Sequence, residues 1–268
     1  MSNLDKKFTL VGGLRTKGIL KKSSPGKPLI SVITAVYNSE KYLEESIKSL
    51  HNQNYDNIEH IVVDGKSTDS SIEIIKKYEN NIDYWISEKD YGIYDAFNKG
   101  MKLSNGDYLG FLNSDDVYTE EAFEHLLKYI NKYPKVDFIF GGVKKHWGVL
   151  YGYKPLKIYW SWGFYSSHST GFFIKKKSAE IVGEYNLKYK FSADYDYFFR
   201  MIVKEKMKGI GTNKNEIFGV FRRGGFSSKI NFIDHFFETI KIRLDNKQNR
   251  LIVLIIFIFK YLKNINKI

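Results

Sequence analysis

A chain of 268 residues with 43% hydrophobic and 16% aromatic side chains has ample material for a buried core, which excludes intrinsic disorder and collagen-like or low-complexity architectures. It has no cysteine, so disulfides, thiolate metal sites and cysteine nucleophiles are excluded, as fits the cytosol. The net charge of +12 gathers at the ends: residues 1–28 carry seven Lys or Arg against one acid, and residues 231–268 seven against three. That distribution argues against a nucleic-acid groove and for basic arms that meet an anionic surface.

Taken in chain order, residues 1–28 read as a basic arm with little core of its own, ending in Ser23-Ser24-Pro25-Gly26-Lys27-Pro28. Leu29–Val36 is a short apolar run, a buried strand. Leu43, Ile47 and Leu50 recur at helical spacing. Ile58–Val63 is a second strand, and Ser70-Ser71-Ile72-Glu73 has the pattern of a capping box opening a helix. A strand at Ile82–Ile86, a helix at Ile93–Leu103, a strand at Tyr108–Leu112, a helix over 120–131 and a strand at Phe138–Phe140 follow. Gly141–Tyr153 suggests a hairpin, Gly171–Ile174 a further strand and Asp194–Val203 a further helix. The alternation predicts an α/β, Rossmann-like, mainly parallel sheet flanked by helices, in one domain over 29–230. No secretory signal is read, so the chain is expected to stay in the compartment where it is made.

The C-terminal extension, 231–268, spaces Phe232, Ile233, Phe236, Phe237 and Ile240 as an amphipathic helix. Leu251–Phe259 is the longest apolar run, nine residues between Arg250 and Lys260, too short for the ~20 residues that cross a bilayer. It is expected to be an interfacial membrane anchor, a last core helix or a dimer contact.

Parallel sheets bind ligands beyond the carboxyl ends of their strands. Polar residues stand at three such ends: Tyr37-Asn38, Asp64-Gly65 and Asn113-Ser114-Asp115-Asp116. Adjacent carboxylates at a strand end favour a hard divalent cation such as Mg²⁺, though Asp116 or Thr119 could equally cap the next helix. Asp194 and Asp196 open a helix, as first-turn acids or as a general base. Arg222-Arg223-Gly224-Gly225 could fold over an anion, and His168 is a lone histidine without a partner at zinc-ligand spacing.

Together these motifs resemble the family 2 inverting glycosyltransferases of GT-A fold. Ser31–Asn38 resembles their first strand and turn, Val62–Asp69 the second, Gly106–Asp116 the strand leading to their metal motif, and Ala193–Asp196 their base motif. Ser87–Gly100, Gly12–Gly18 and Gly224–Ser227 resemble a subgroup active in bacterial surface-polysaccharide assembly. The resemblance implies a transfer from a nucleotide sugar, a UDP-sugar by preference, to a lipid-linked saccharide. It implies a location peripheral to the inner face of the cytoplasmic membrane. Asp194 would be the base. Thr34, Tyr37, Asn38, Asp64, Gly65, Asn98, Lys99 and Asp115 would meet the donor, and Asp115 with Asp116 would hold Mg²⁺ or Mn²⁺. Asp196, Asp90, His168 and Arg223 would support the site. The chain departs from the family pattern at Phe97, where an arginine is usual, at Asn113, the first acid of the metal motif, and at Ala193. A sugar nucleotidyltransferase is a rival, but the place of its glycine-rich loop holds Tyr37-Asn38-Ser39-Glu40. A non-catalytic membrane or nucleic-acid binding protein is a second rival.

Overall fold

A computed structural model describes residues 9–160, 168–222 and 231–264. The strands are β1 (Leu10–Gly12), β2 (Ile30–Val36), β3 (Ile58–Asp64), β4 (Tyr84–Ser87), β5 (Tyr108–Asn113), β6 (Val117–Tyr118), β7 (Phe138–Phe140), β8 (Gly142–Lys145), β9 (Gly148–Leu150), β10 (Phe172–Lys175), β11 (Gly209–Gly211) and β12 (Ile217–Val220). The helices are α1 (Leu43–His51), α2 (Ser71–Lys77), α3 (Ile93–Leu103), α4 (Ala122–Lys132), α5 (Lys176–Val182), α6 (Ala193–Phe199), α7 (Phe232–Asp245) and α8 (Arg250–Lys263).

The main sheet has the order β1-β4-β3-β2-β5-β10-β7-β11. Its centre, β4-β3-β2-β5, is parallel, as the sequence predicts, while β10 runs antiparallel between β5 and β7. Alternate residues feed opposite faces. Ile33 and Phe111 join the aromatic cluster of Phe97, Phe172, Tyr185 and Phe198, whereas Val32 and Leu112 join Phe123, Leu126 and Phe218 beneath α4. The departure at Phe97 is thereby explained: it is buried, edge-on to Phe111 at 5.0 Å, and serves the core.

A second sheet, β6-β12-β8-β9, stands beside the first. The hairpin expected over 141–153 is its β8–β9 pair. Its partners β6 and β12 escape the sequence pattern because they are short and about a hundred residues apart.

Two expectations are corrected. Residues 10–22 are not a free arm: β1 pairs antiparallel with β4, Arg15 forms an ion pair with buried Glu59, and Lys21 Nζ lies 2.9 Å from Asp83 Oδ2. The cations turn inward because two acids lie in the sheet core, where an unpaired charge is costly. The capping box at Ser70 also does not form. Asp69 Oδ1 accepts the Ser71 amide at 3.0 Å, and the Ser71 hydroxyl instead accepts from the Ser39 amide.

Candidate active site

The ends of β2, β3 and β5 are laced together by polar contacts. Asn38, at a φ of 46°, donates its amide to Ser67 Oγ and accepts the Thr68 amide at Oδ1, both at 2.8 Å. Ser39 Oγ lies 2.7 Å from Ser114 Oγ. Tyr37 beside them is 63% exposed, a free aromatic face at the mouth. Asp64 is wholly buried and accepts from the Ser67 amide at 3.0 Å, the Ser67 hydroxyl and Ser87 Oγ at 2.6 Å. A Cβ on Gly65 would come within 2.6 Å of Asp90 Oδ2, so the glycine lets that carboxylate approach. Burial raises the Asp90 pKa despite its bond from the Gly92 amide.

At the end of β5 the acidic pair divides. Asp116 is fully buried: Oδ1 accepts the Arg222 amide at 3.0 Å, and Oδ2 accepts Asn113 Nδ2 at 2.9 Å and Thr170 Oγ1 at 2.8 Å, with His168 Nδ1 at 3.3 Å. Burial and then the Asp115 charge push its pKa up to about 7. Burial and then the Lys145 charge keep His168 neutral. Asp116 is therefore a hub that joins β5, the turn at Ser169–Gly171 and the end of β12. His168 belongs to that hub. Asp115 is only half-buried, and its pKa is raised by burial.

The second pair divides the same way. Asp194 starts α6; its Oδ1 accepts the Tyr195 amide at 2.8 Å and Tyr94 Oη at 3.2 Å. Burial pushes its pKa up to about 6, against the field of Lys145. Asp196 is buried and bonded at both oxygens, accepting Arg200 Nε at 2.8 Å and Asn246 Nδ2 at 2.7 Å.

Three further expected site residues make contacts within the fold. Thr34 is inside the sheet, its Oγ1 3.0 Å from His60 Nε2. Asn98 clamps the Tyr185 backbone, donating to its carbonyl at 2.9 Å and accepting its amide at 2.7 Å. Lys99 is committed to Glu88 at 2.8 Å and to the Lys89 carbonyl at 2.9 Å. Arg223 lies outside the described residues.

Two cations border the site, Arg222 of the segment expected to meet an anion and Lys145, which sequence reasoning missed. Arg222 grips Glu45 through both terminal guanidinium nitrogens, at 2.8 and 2.6 Å. Lys145, at the end of β8, sits 4.2 Å from the Phe221 ring centre. Burial lowers its pKa to about 8, while the charges of Asp116 and Asp194 oppose the fall. No motif marks it, because only the second sheet carries it to this place.

A hard cation fits the mouth. Among the described residues no three His, Cys, Asp or Glu side chains converge. Mg²⁺, however, typically takes one or two carboxylates and draws its other ligands from phosphates and water. Asp115 is a half-buried carboxylate, and the cation acting on it, Arg222, is engaged by Glu45. Asn113 Oδ1 is buried without a hydrogen-bond partner among the described residues, an oxygen that an ion would satisfy.

Residues 31–198 match the family described as Glycosyl transferase family 2. The chain belongs to that family. It is 30% identical over 197 residues to an uncharacterized glycosyltransferase of Methanocaldococcus jannaschii, covering 67% of this chain and 66% of that protein. To an uncharacterized glycosyltransferase of Mycobacterium tuberculosis it is 29% identical over 219 residues, covering 74% and 83%. A Haemophilus influenzae relative is 41% identical over 106 residues, but those are 38% of this chain and 42% of that protein. The chain thus spans less than two thirds of several relatives it matches. Among solved structures, S. aureus TarS 1-349 in complex with UDP has a TM-score of 0.65 at 18% identity, covering 81% of this chain and 65% of that one. A mannosyltransferase from Pyrobaculum calidifontis in complex with GDP-Man and Mn²⁺ has a TM-score of 0.64 at 14% identity, covering 91% and 72%. These likenesses establish the GT-A fold.

Proposed function

We propose that this family 2 enzyme inverts configuration as it moves a sugar from a UDP-sugar to a hydroxyl of a lipid-linked saccharide. The setting would be surface-polysaccharide assembly of the O-antigen or capsule type, at the inner face of the cytoplasmic membrane. One observation carries the reading: Asp194 is a partly open carboxylate, fixed by Tyr94 and held near a pKa of about 6, while Asp196 beside it is locked in structure. A base near the working pH is what proton removal from a hydroxyl needs.

As the acceptor oxygen bonds to the anomeric carbon, Asp194 takes its proton. The bond from that carbon to the diphosphate breaks on the opposite face. Tyr37 packs near the nucleobase, and Asp64 offers the one acceptor site left of about four on a carboxylate. Lys145 acts on Asp194 from the second sheet and favours its ionised form. Mg²⁺ or Mn²⁺ would be held by Asp115 and Asn113 Oδ1, and supplies neutralisation of the departing diphosphate. The bound nucleotides of the TarS and mannosyltransferase structures and the Mn²⁺ of the latter support this reading.

The test is titration calorimetry with UDP, GDP and CDP, with Mn²⁺ and in excess chelator, followed by transfer assays with UDP-sugars. UDP should bind tightest, and more tightly with Mn²⁺. Equal affinity in chelator would remove the metal, and a preference for GDP would remove the uridine donor.

A further inference from the structure

The two terminal helices form a hairpin. α7 packs on α6: Glu238 accepts the Lys190 and Phe191 amides at 2.6 and 2.8 Å, and Asn246 reaches Asp196. α8 folds back on α7 through Phe257, whose ring centre is 5.3 Å from that of Phe236, and through Lys260, whose Nζ is 3.3 Å from Thr239 Oγ1. Both helices begin at an asparagine whose side chain accepts the next amides, so their boundaries are fixed locally.

The unusual feature is the outer side of α8. Its inner side buries Val253, Ile256 and Lys260. Outward stand Leu251, Leu254, Ile255, Ile258, Phe259 and Leu262, at steps of three and one that make a single stripe, each 45–70% exposed. The outer face of a helix on a globular protein is ordinarily polar. A groove of about 720 Å³ between the helices extends the apolar surface through Leu244 and Phe257 to a basic end at Lys247 and Arg250.

Charge selects the occupant. From residue 246 to the end the sequence has five Lys or Arg and no acid. A second copy of the chain meeting this face would bring cations against cations, because a twofold contact presents the same patch from both sides. An anionic lipid surface complements it. Fourteen residues of helix reach about 21 Å, short of the ~30 Å hydrocarbon core, and among the described residues no helix is long and apolar enough to cross a membrane. A helix of this kind lies in the interface with its apolar side down.

We propose that the outer face of α8 docks in the interface of an anionic phospholipid bilayer, with Lys247, Arg250 and Lys263 against the head groups. Because α7 joins α8 to the segment that carries Asp194, docking sets how the acceptor side of the site faces the membrane. The proposal deepens the lipid-linked acceptor reading and rests on it for its purpose, but its test does not depend on transfer.

The experiment is flotation of the full chain with vesicles of phosphatidylcholine, alone or mixed with phosphatidylglycerol. Binding should require the mixed vesicles and fall with salt. Ile258→Glu with Phe259→Glu should abolish it, and Lys247→Ala and Arg250→Ala should each weaken it about fivefold. These positions are exposed, and UDP affinity measured on the same variants reports that the fold is kept. No binding to mixed vesicles overturns the proposal, as does binding that ignores both sets of substitutions. A dimer in solution that Ile258→Glu splits would instead assign the face to a second copy. Loss of vesicle binding with UDP affinity intact separates this proposal from the donor reading.

Discussion

The turn after β5 and the start of α6 each carry two aspartates, and in both places one is buried and bonded at both oxygens while the other is partly open. They differ in what holds the buried one. Asp196 is held by the Arg200 cation, whereas Asp116 is held by neutral donors, Asn113, Thr170 and the Arg222 amide, beside a second carboxylate. The base side therefore has its countercharges built in, with Lys145 acting on Asp194 as well. On the β5 side Arg222 is engaged by Glu45, and the charge of Lys145 is shared between Asp116 and Asp194. That difference suits one end to proton transfer and the other to an arriving divalent ion with its diphosphate.

The comparison can be broken by substitution. The largest effect on stability is expected for Asp196→Ala, which strands the Arg200 charge: about 3–5 kcal/mol of folding stability should be lost in urea titrations. An unchanged midpoint would put Asp196 outside the scaffold. For Asp115→Asn, the gain in UDP affinity from Mn²⁺ should disappear, roughly tenfold or more. In chelator the same variant should be slightly more stable at neutral pH, because burial raises the pKa of Asp115 and its ionised form burdens the fold. Retention of the Mn²⁺ effect would return the ligand role to Asp116. The smallest effect is that of Lys145→Met, which should move the acidic limb of kcat/KM upward from about 6 by less than about one unit, as the ionised base loses a favourable field.

Much of the sheet was legible in the sequence. The bounds of α3 and β7 match their expected ranges, because strand ends and helix spacing are local signals. The split within each acidic pair was not read, although one signal existed. Asp196 and Arg200 stand at i and i+4, the spacing of an ion pair on a helix, while residues two apart such as Asp194 and Asp196 cannot share a face. No such signal marks Asp116, whose partners Thr170 and Arg222 come from distant chain. The two basic ends, alike in composition, part company for the same reason. Arg15 and Lys21 are drawn inward by Glu59 and Asp83, acids on strands that read as apolar. The C-terminal helices offer the cations after residue 246 no buried acid of their own.

The central claim, that Asp194 is the base and Asp196 the scaffold, is tested most directly by measuring transfer and stability together in Asp194→Asn. The folded-state pKa of about 6 lies above the ordinary 3.8, so this carboxyl stabilises the fold at low pH and that contribution is lost as pH rises through about 6. An amide at this position still accepts from Tyr94 and the Tyr195 amide, but it takes no proton. The account predicts transfer lower by roughly 10²-fold or more, UDP affinity nearly unchanged, and stability at pH 8 higher by about 1–3 kcal/mol. Transfer that survives in Asp194→Asn, or a fold that weakens there as it does in Asp196→Ala, would contradict it.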